Sequence, residues 1–273
     1  MIVYFKSYVV LVCGIAIALP VVYSTVYPMM TGELVASSLS GLITLFVLFI
    51  LGLLLGFGIF ERKAQAKADS WVALYNDQCD PEAFLREGAD LAEGMRPPYN
   101  QVSAWYMGYY AQAYLDSGDT HDAKAVLDAL LSSIESARKP AEKVGIIVNT
   151  IPLLDKIEGA HAALGLVDRG FDICAECKGS AVSQYREFLE SQSSVLNARV
   201  SGDARKALEM DESVWHSQRY PRRIRVEYAW DGASAAYSCG ESATEKEALE
   251  YVADNGGELA LAQKAEDRLS SIS

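Results

Sequence analysis

Charge is nearly missing from the first 60 residues, where Lys6 and Glu33 are the only members of the Asp, Glu, Lys and Arg classes. Histidine is scarce throughout: His121, His161 and His216 stand far apart, each alone. The chain has no HExxH, GxSxG, GxxxxGKS/T or GxGxxG arrangement, so the commonest zinc, nucleophile and phosphate signatures are missing. Its five cysteines, Cys13, Cys79, Cys174, Cys177 and Cys239, are odd in number and irregular in spacing, which does not make a disulfide framework. Strand signals are also few after residue 60, where helix signals are dense.

All the remaining Lys, Arg, Asp and Glu lie in residues 61–273, which therefore carry the whole net charge of −12. A nearly uncharged segment followed by an acidic one of mixed polarity reads as a membrane segment followed by a soluble domain. An acidic domain lacks the positive surface that a phosphate backbone requires, so nucleic acid is not an expected partner.

Residues 7–32, beginning "SYVVLVCGIAIALPVVYS", and residues 34–60, ending "GLITLFVLFILGLLLGFGIF", contain no charge. A hydrocarbon core of about 30 Å needs roughly 20 apolar residues as a helix. Backbone amides in lipid must be satisfied within the segment, so each run is expected to be helical. The expected organisation is a membrane hairpin over residues 1–60, with spans at about 7–27 and 38–60, and a helical domain over 61–273. A cleaved signal peptide is the alternative for the first span. Lys6 precedes the first span, Arg62, Lys63 and Lys67 follow the second, and the connection between the spans has no Lys or Arg. Positive-inside reasoning then predicts a multi-pass cell-membrane protein with both termini and the large domain in the cytoplasm. Gly52 and Gly56 are four apart in the second span, a spacing that lets helices approach closely. They could pack against the first span or join two copies of the chain.

The stretch "YLDSGDTHDAKAVLDALL" (114–131) reads as the end of one helix, a Gly118-Asp119 bend and a second helix. The second helix carries Ala123, Val126, Leu127, Leu130 and Leu131 on one stripe. Similar bends fall at Gly159, Gly202-Asp203 and Gly240, and Asp80-Pro81 caps another helix. These markers are about 40 residues apart, as expected for stacked helical pairs. Pro152, inside the run "VGIIVNTIPLLDKIEG", should kink or break its helix.

Residues 104–131 resemble a tetratricopeptide-type repeat: small Ala111 and aromatic Tyr114, the "SGD" bend, then small Ala123 and bulky Leu127. The unit around Gly202 keeps the bend and Ala207, but Asp211 stands where that pattern carries a bulky apolar residue. The resemblance is loose over residues 67–270 as a whole. It implies an all-α fold: two transmembrane helices followed by an α-solenoid of tetratricopeptide-like hairpins. In that family the first helix of each pair lines a concave groove, which would turn Trp105, Tyr109 and Gln112 toward a ligand. Burial of that face against a preceding pair is the alternative.

The run "SQRYPRRIRVEYAW" gathers Arg219, Arg222, Arg223 and Arg225 in an otherwise acidic domain. Arginine pairs bidentately with carboxylate or phosphate, so the cluster fits an acidic peptide, the anionic inner leaflet or the domain's own surplus carboxylates. The lone CAEC at Cys174 and Cys177 lacks the further ligands of a structural zinc site, and two small buried thiols explain it as well. No metal, cofactor or catalytic residue is predicted. The expectation is a non-enzymatic, membrane-tethered scaffold that binds a protein or peptide through its helical domain. The alternative is an accessory subunit of a transport, secretion or envelope complex, with the hairpin as the assembly element.

Overall fold

The structure is a computed structural model that describes residues 2–31, 39–177 and 180–272. Among these residues the chain forms twelve helices and no strand. It divides into two compact units, Met1–Ser70 and Trp71–Ser273.

The first unit contains α1 (Ile2–Thr31) and most of α2 (Leu39–Gln78). Both are long and apolar enough to cross a membrane. The connection 32–38, expected on the outer side, lies outside the described residues. Helix α1 runs on through Pro20 and Pro28, and α2 runs past the uncharged run that ends at residue 60, on to Gln78. The second unit therefore begins at Trp71, although the composition changes at residue 61. A β-carbon on Gly52 would lie 2.6 Å from the Ala16 backbone, and one on Gly56 would lie 3.1 Å from Val12, so these glycines seat α1 directly on α2. Val12 and Ala16 are buried there, while Val22, Phe46 and Leu54 are exposed.

The second unit contains the end of α2 and ten further helices: α3 (Pro81–Gly94), α4 (Gln101–Asp116), α5 (Thr120–Ser136), α6 (Pro140–Glu158), α7 (Ala160–Glu176), α8 (Ser180–Val200), α9 (Ala204–Trp215), α10 (Arg222–Cys239), α11 (Ser242–Asn255) and α12 (Ala260–Ile272). From α3 onward, each helix packs on the next in sequence, and α4 and α8 also touch α6. The expected bends join α4 to α5, α6 to α7, α8 to α9 and α10 to α11. Gly118 has φ +89° there, a conformation that side chains with a β-carbon rarely adopt. Asp119 and Asp203 follow two of these bends and accept hydrogen bonds from the first-turn amides of Asp122 and Lys206, and Asp80 caps α3 in the same way.

Apolar faces at helical spacing fill the interior: Leu127, Leu130 and Ile134 from α5, with Ile146, Ile147, Ile151 and Leu153 from α6, are almost fully buried. Pro152 does not break α6, which continues to Glu158. Pro152 itself faces solvent, and the buried residues on both sides of it hold the helix together against one missing backbone hydrogen bond. Ala111 and Ala123 are completely buried, so neither position admits a larger side chain without displacement.

Candidate functional site

The second unit is held internally by an ionic cluster that joins the end of α2 to α4, α6 and α10. Arg223 lies in the first turn of α10 and is fully enclosed. It donates from Nη1 to Asp116 Oδ2 at 3.2 Å and to Glu227 Oε1, and from Nε to Asn76 Oδ1 at 2.9 Å. The Tyr75 hydroxyl donates to the same Asp116 oxygen, and Gln112 donates to the other at 2.9 Å. Lys156 of α6 reaches Glu227 at 2.5 Å. The guanidinium also lies 5.0 Å from the Tyr75 ring centre and 5.9 Å from that of Tyr109.

Two cations thus face two carboxylates, and the neutral partners fill the remaining positions, the arrangement that buried charge requires. Burial pulls the Arg223 pKa down, but Glu227, Tyr75 and Asp116 together raise it above its ordinary value, so the group stays charged. Burial, and then the adjacent Asp116 carboxylate, push the Tyr75 phenol well above its usual range. Tyr75 therefore acts as a fixed donor, not as an acid.

The four arginines separate: Arg219 lies in the turn before α10, and Arg222, Arg223 and Arg225 lie in its first residues. Arg223 points inward, while Arg222 donates to the Asn255 carbonyl at 2.6 Å and so satisfies the C-terminal end of α11. Arg225 lies 5.9 Å from the Tyr251 ring centre, and Arg219 is exposed. Close by, Cys79 ends α2 with φ +57°, and its carbonyl accepts from the Glu258 amide at 3.0 Å. Burial pushes the Cys79 thiol up to about 11 against the opposing fields of Arg222 and Arg223, so it is no nucleophile at neutral pH.

On α4 the three residues expected on a ligand face divide similarly. Gln112 is buried in the ionic cluster, whereas Trp105 and Tyr109 are half-buried, with ring centres 5.6 Å apart in an edge-on contact. Buried Arg223 and Gln112 are therefore out of reach of a docking partner, and Trp105, Tyr109 and Arg219 keep accessible surface. A cleft of about 300 Å³ opens beside Asp116 and Ser117, lined also by Asp80, Glu82, Arg86 and Glu258.

All five cysteines are free; Cys174 is buried, and the Cys177 amide donates to its carbonyl at 3.2 Å. Among the described residues no three His, Cys, Asp or Glu side chains are placed to hold a metal ion. The cluster partners Tyr75, Asn76, Asp116 and Glu227 were not singled out from the sequence. Only Glu227 had a local signal there, four residues after Arg223 on the same helix.

Compared with protein-family models, with curated proteins and with solved structures, the chain gives no match.

Proposed function

We propose that the chain is a non-enzymatic, membrane-tethered adaptor. Helices α1 and α2 form a two-span hairpin in the cell membrane, both termini face the cytoplasm, and the helical domain holds a protein or peptide partner at the inner face. The observation that carries this reading is the exposed surface of the hairpin, where Val22, Phe46, Leu51, Leu54 and Leu55 face outward from two helices of spanning length. Large contiguous apolar surface is costly in water and fits a lipid environment. Exposed Arg62 and Lys63 immediately after the apolar part of α2 support the cytoplasmic orientation.

The left-handed bend glycines and the packing of sequence neighbours agree with a tetratricopeptide-like array. In that reading Trp105 and Tyr109 lie on the partner face, with Arg219 as a positively charged contact. Large aromatic and arginine side chains are favoured at such interfaces. Tethering confines the domain to the membrane surface and raises its effective concentration for membrane-bound partners.

The anchor is tested by alkaline extraction of membranes and by protease digestion of sealed vesicles of both orientations. Retention after extraction, with the domain cleaved only in inside-out vesicles, is the expected result. Release into the supernatant, or cleavage only in right-side-out vesicles, overturns the reading.

A further inference from the structure

A second ionic cluster brings together α6, α8, α9 and α10, and it is short of positive charge. Arg199 of α8 donates to Asp155 of α6 at 2.8 Å and to Asp231 of α10 at 2.6 Å. Asp211 of α9 is the third carboxylate, but its Oδ1 is 3.7 Å from the guanidinium, beyond hydrogen-bond range. Asp211 is 1% exposed, and neither of its oxygens has a hydrogen-bond partner. The backbone of α10 passes close to it: a β-carbon on Gly232 would lie 3.5 Å from Asp211 Cβ and 2.6 Å from the Trp215 ring. A carboxyl enclosed in this way, with the Arg199 guanidinium already shared by two other carboxylates, is favoured in its neutral form.

We propose that this cluster is a proton-responsive joint: α9 docks fully on α8 and α10 while Asp211 is neutral and loosens when Asp211 ionises. The groups that face Asp211 are Arg199 from α8 and Asp231 and Tyr228 from α10, with Asp155 of α6 on the same guanidinium. Burial, and then the Asp231 carboxylate, raise the Asp211 carboxyl from 3.8 to about 7, with Arg199 opposing. Burial also raises Asp155, again against Arg199. The folded chain therefore keeps a proton on Asp211 that the unfolded chain releases near its ordinary value. Stability from this group is complete below pH 4, declines from there to about pH 7 and is flat above it. Asp211 is also the residue that departs from the apolar pattern of the repeat around Gly202. At that position a leucine would remove the Asp211 titration from the joint.

The test is thermal unfolding of the full-length protein in detergent between pH 5 and pH 8.5, for wild type, Asp211→Asn and Asp231→Asn. Asn keeps the shape of the side chain without its titration. The midpoint of Asp211→Asn relative to wild type should rise with pH, by roughly 5 °C or more between pH 5 and pH 8. Asp231→Asn removes a neighbouring negative charge and should bring the upper end of the decline to lower pH. Parallel curves for wild type and Asp211→Asn overturn the proposal. If Asp211→Asn does not fold, the Asp231→Asn comparison decides: a decline at unchanged pH overturns the proposal, and a shifted one upholds it.

Discussion

Arg223 of α10 and Asp116 of α4, 107 residues apart in the chain, meet at 3.2 Å with each side chain only 4% exposed. Replacing such a pair by apolar residues can be neutral, but removing one member strands a buried charge. Arg223→Ala leaves Asp116 with only the neutral donors Tyr75 and Gln112 and Glu227 with only Lys156, and it should destabilise by about 3–5 kcal/mol. A fall of roughly 10 °C in the thermal midpoint is expected. A change below about 2 °C would show that the cluster does not hold α4 and α10 together. Arg219→Ala, on an exposed side chain of the same run, should leave the midpoint unchanged.

Gly52 admits the backbone of α1, and any larger side chain must push the helices apart. Gly52→Leu should lower the temperature at which the detergent-solubilised protein loses its monodisperse gel-filtration peak. Gly14→Leu is the control, since a β-carbon there meets nothing within 4 Å. Equal behaviour of the two variants would contradict close packing within the hairpin.

Asp119 closes the turn between α4 and α5 by accepting from the Asp122 amide at 3.0 Å. Asp119→Ala should destabilise by about 1 kcal/mol, and Asp119→Asn by much less, because Asn keeps the accepting oxygen. Chemical denaturation of the three proteins measures both differences.

Gly232 lies under the Trp215 ring, where a β-carbon would come within 2.6 Å of a ring carbon. Gly232→Ala gains helix propensity yet should destabilise by about 1–3 kcal/mol through overpacking. A stabilised variant would mean that Trp215 moves aside without strain.

The helix ends were legible in the sequence because their causes are local. Asp80, Gly118 and Asp119 act on backbone within a few residues, so short strings carry the whole signal. The interior was not legible for the converse reason. Arg223 meets Asn76 and Asp116 only after the end of α2, α4 and α10 are brought together, and no short-range pattern records that meeting. The four arginines read as one patch along the chain, yet residues 222, 223 and 225 point in different directions on a helix. Pro152 leaves α6 unbroken because the cost of a missing hydrogen bond is local, whereas the burial that outweighs it comes from neighbouring helices. Asp211 was visible as a departure from the apolar pattern, but its crowding by Asp155, Asp231 and Arg199 depends on three other helices.

Partner capture by the tethered domain is tested most directly by purifying the full-length protein from native membranes in mild detergent, as wild type and as Trp105→Ala/Tyr109→Ala with its helical content verified. The predicted result is one partner recovered at stoichiometric level with wild type and lost with the double variant. Wild-type protein recovered alone, or the same partner on both, would contradict an adaptor that binds through the Trp105–Tyr109 face.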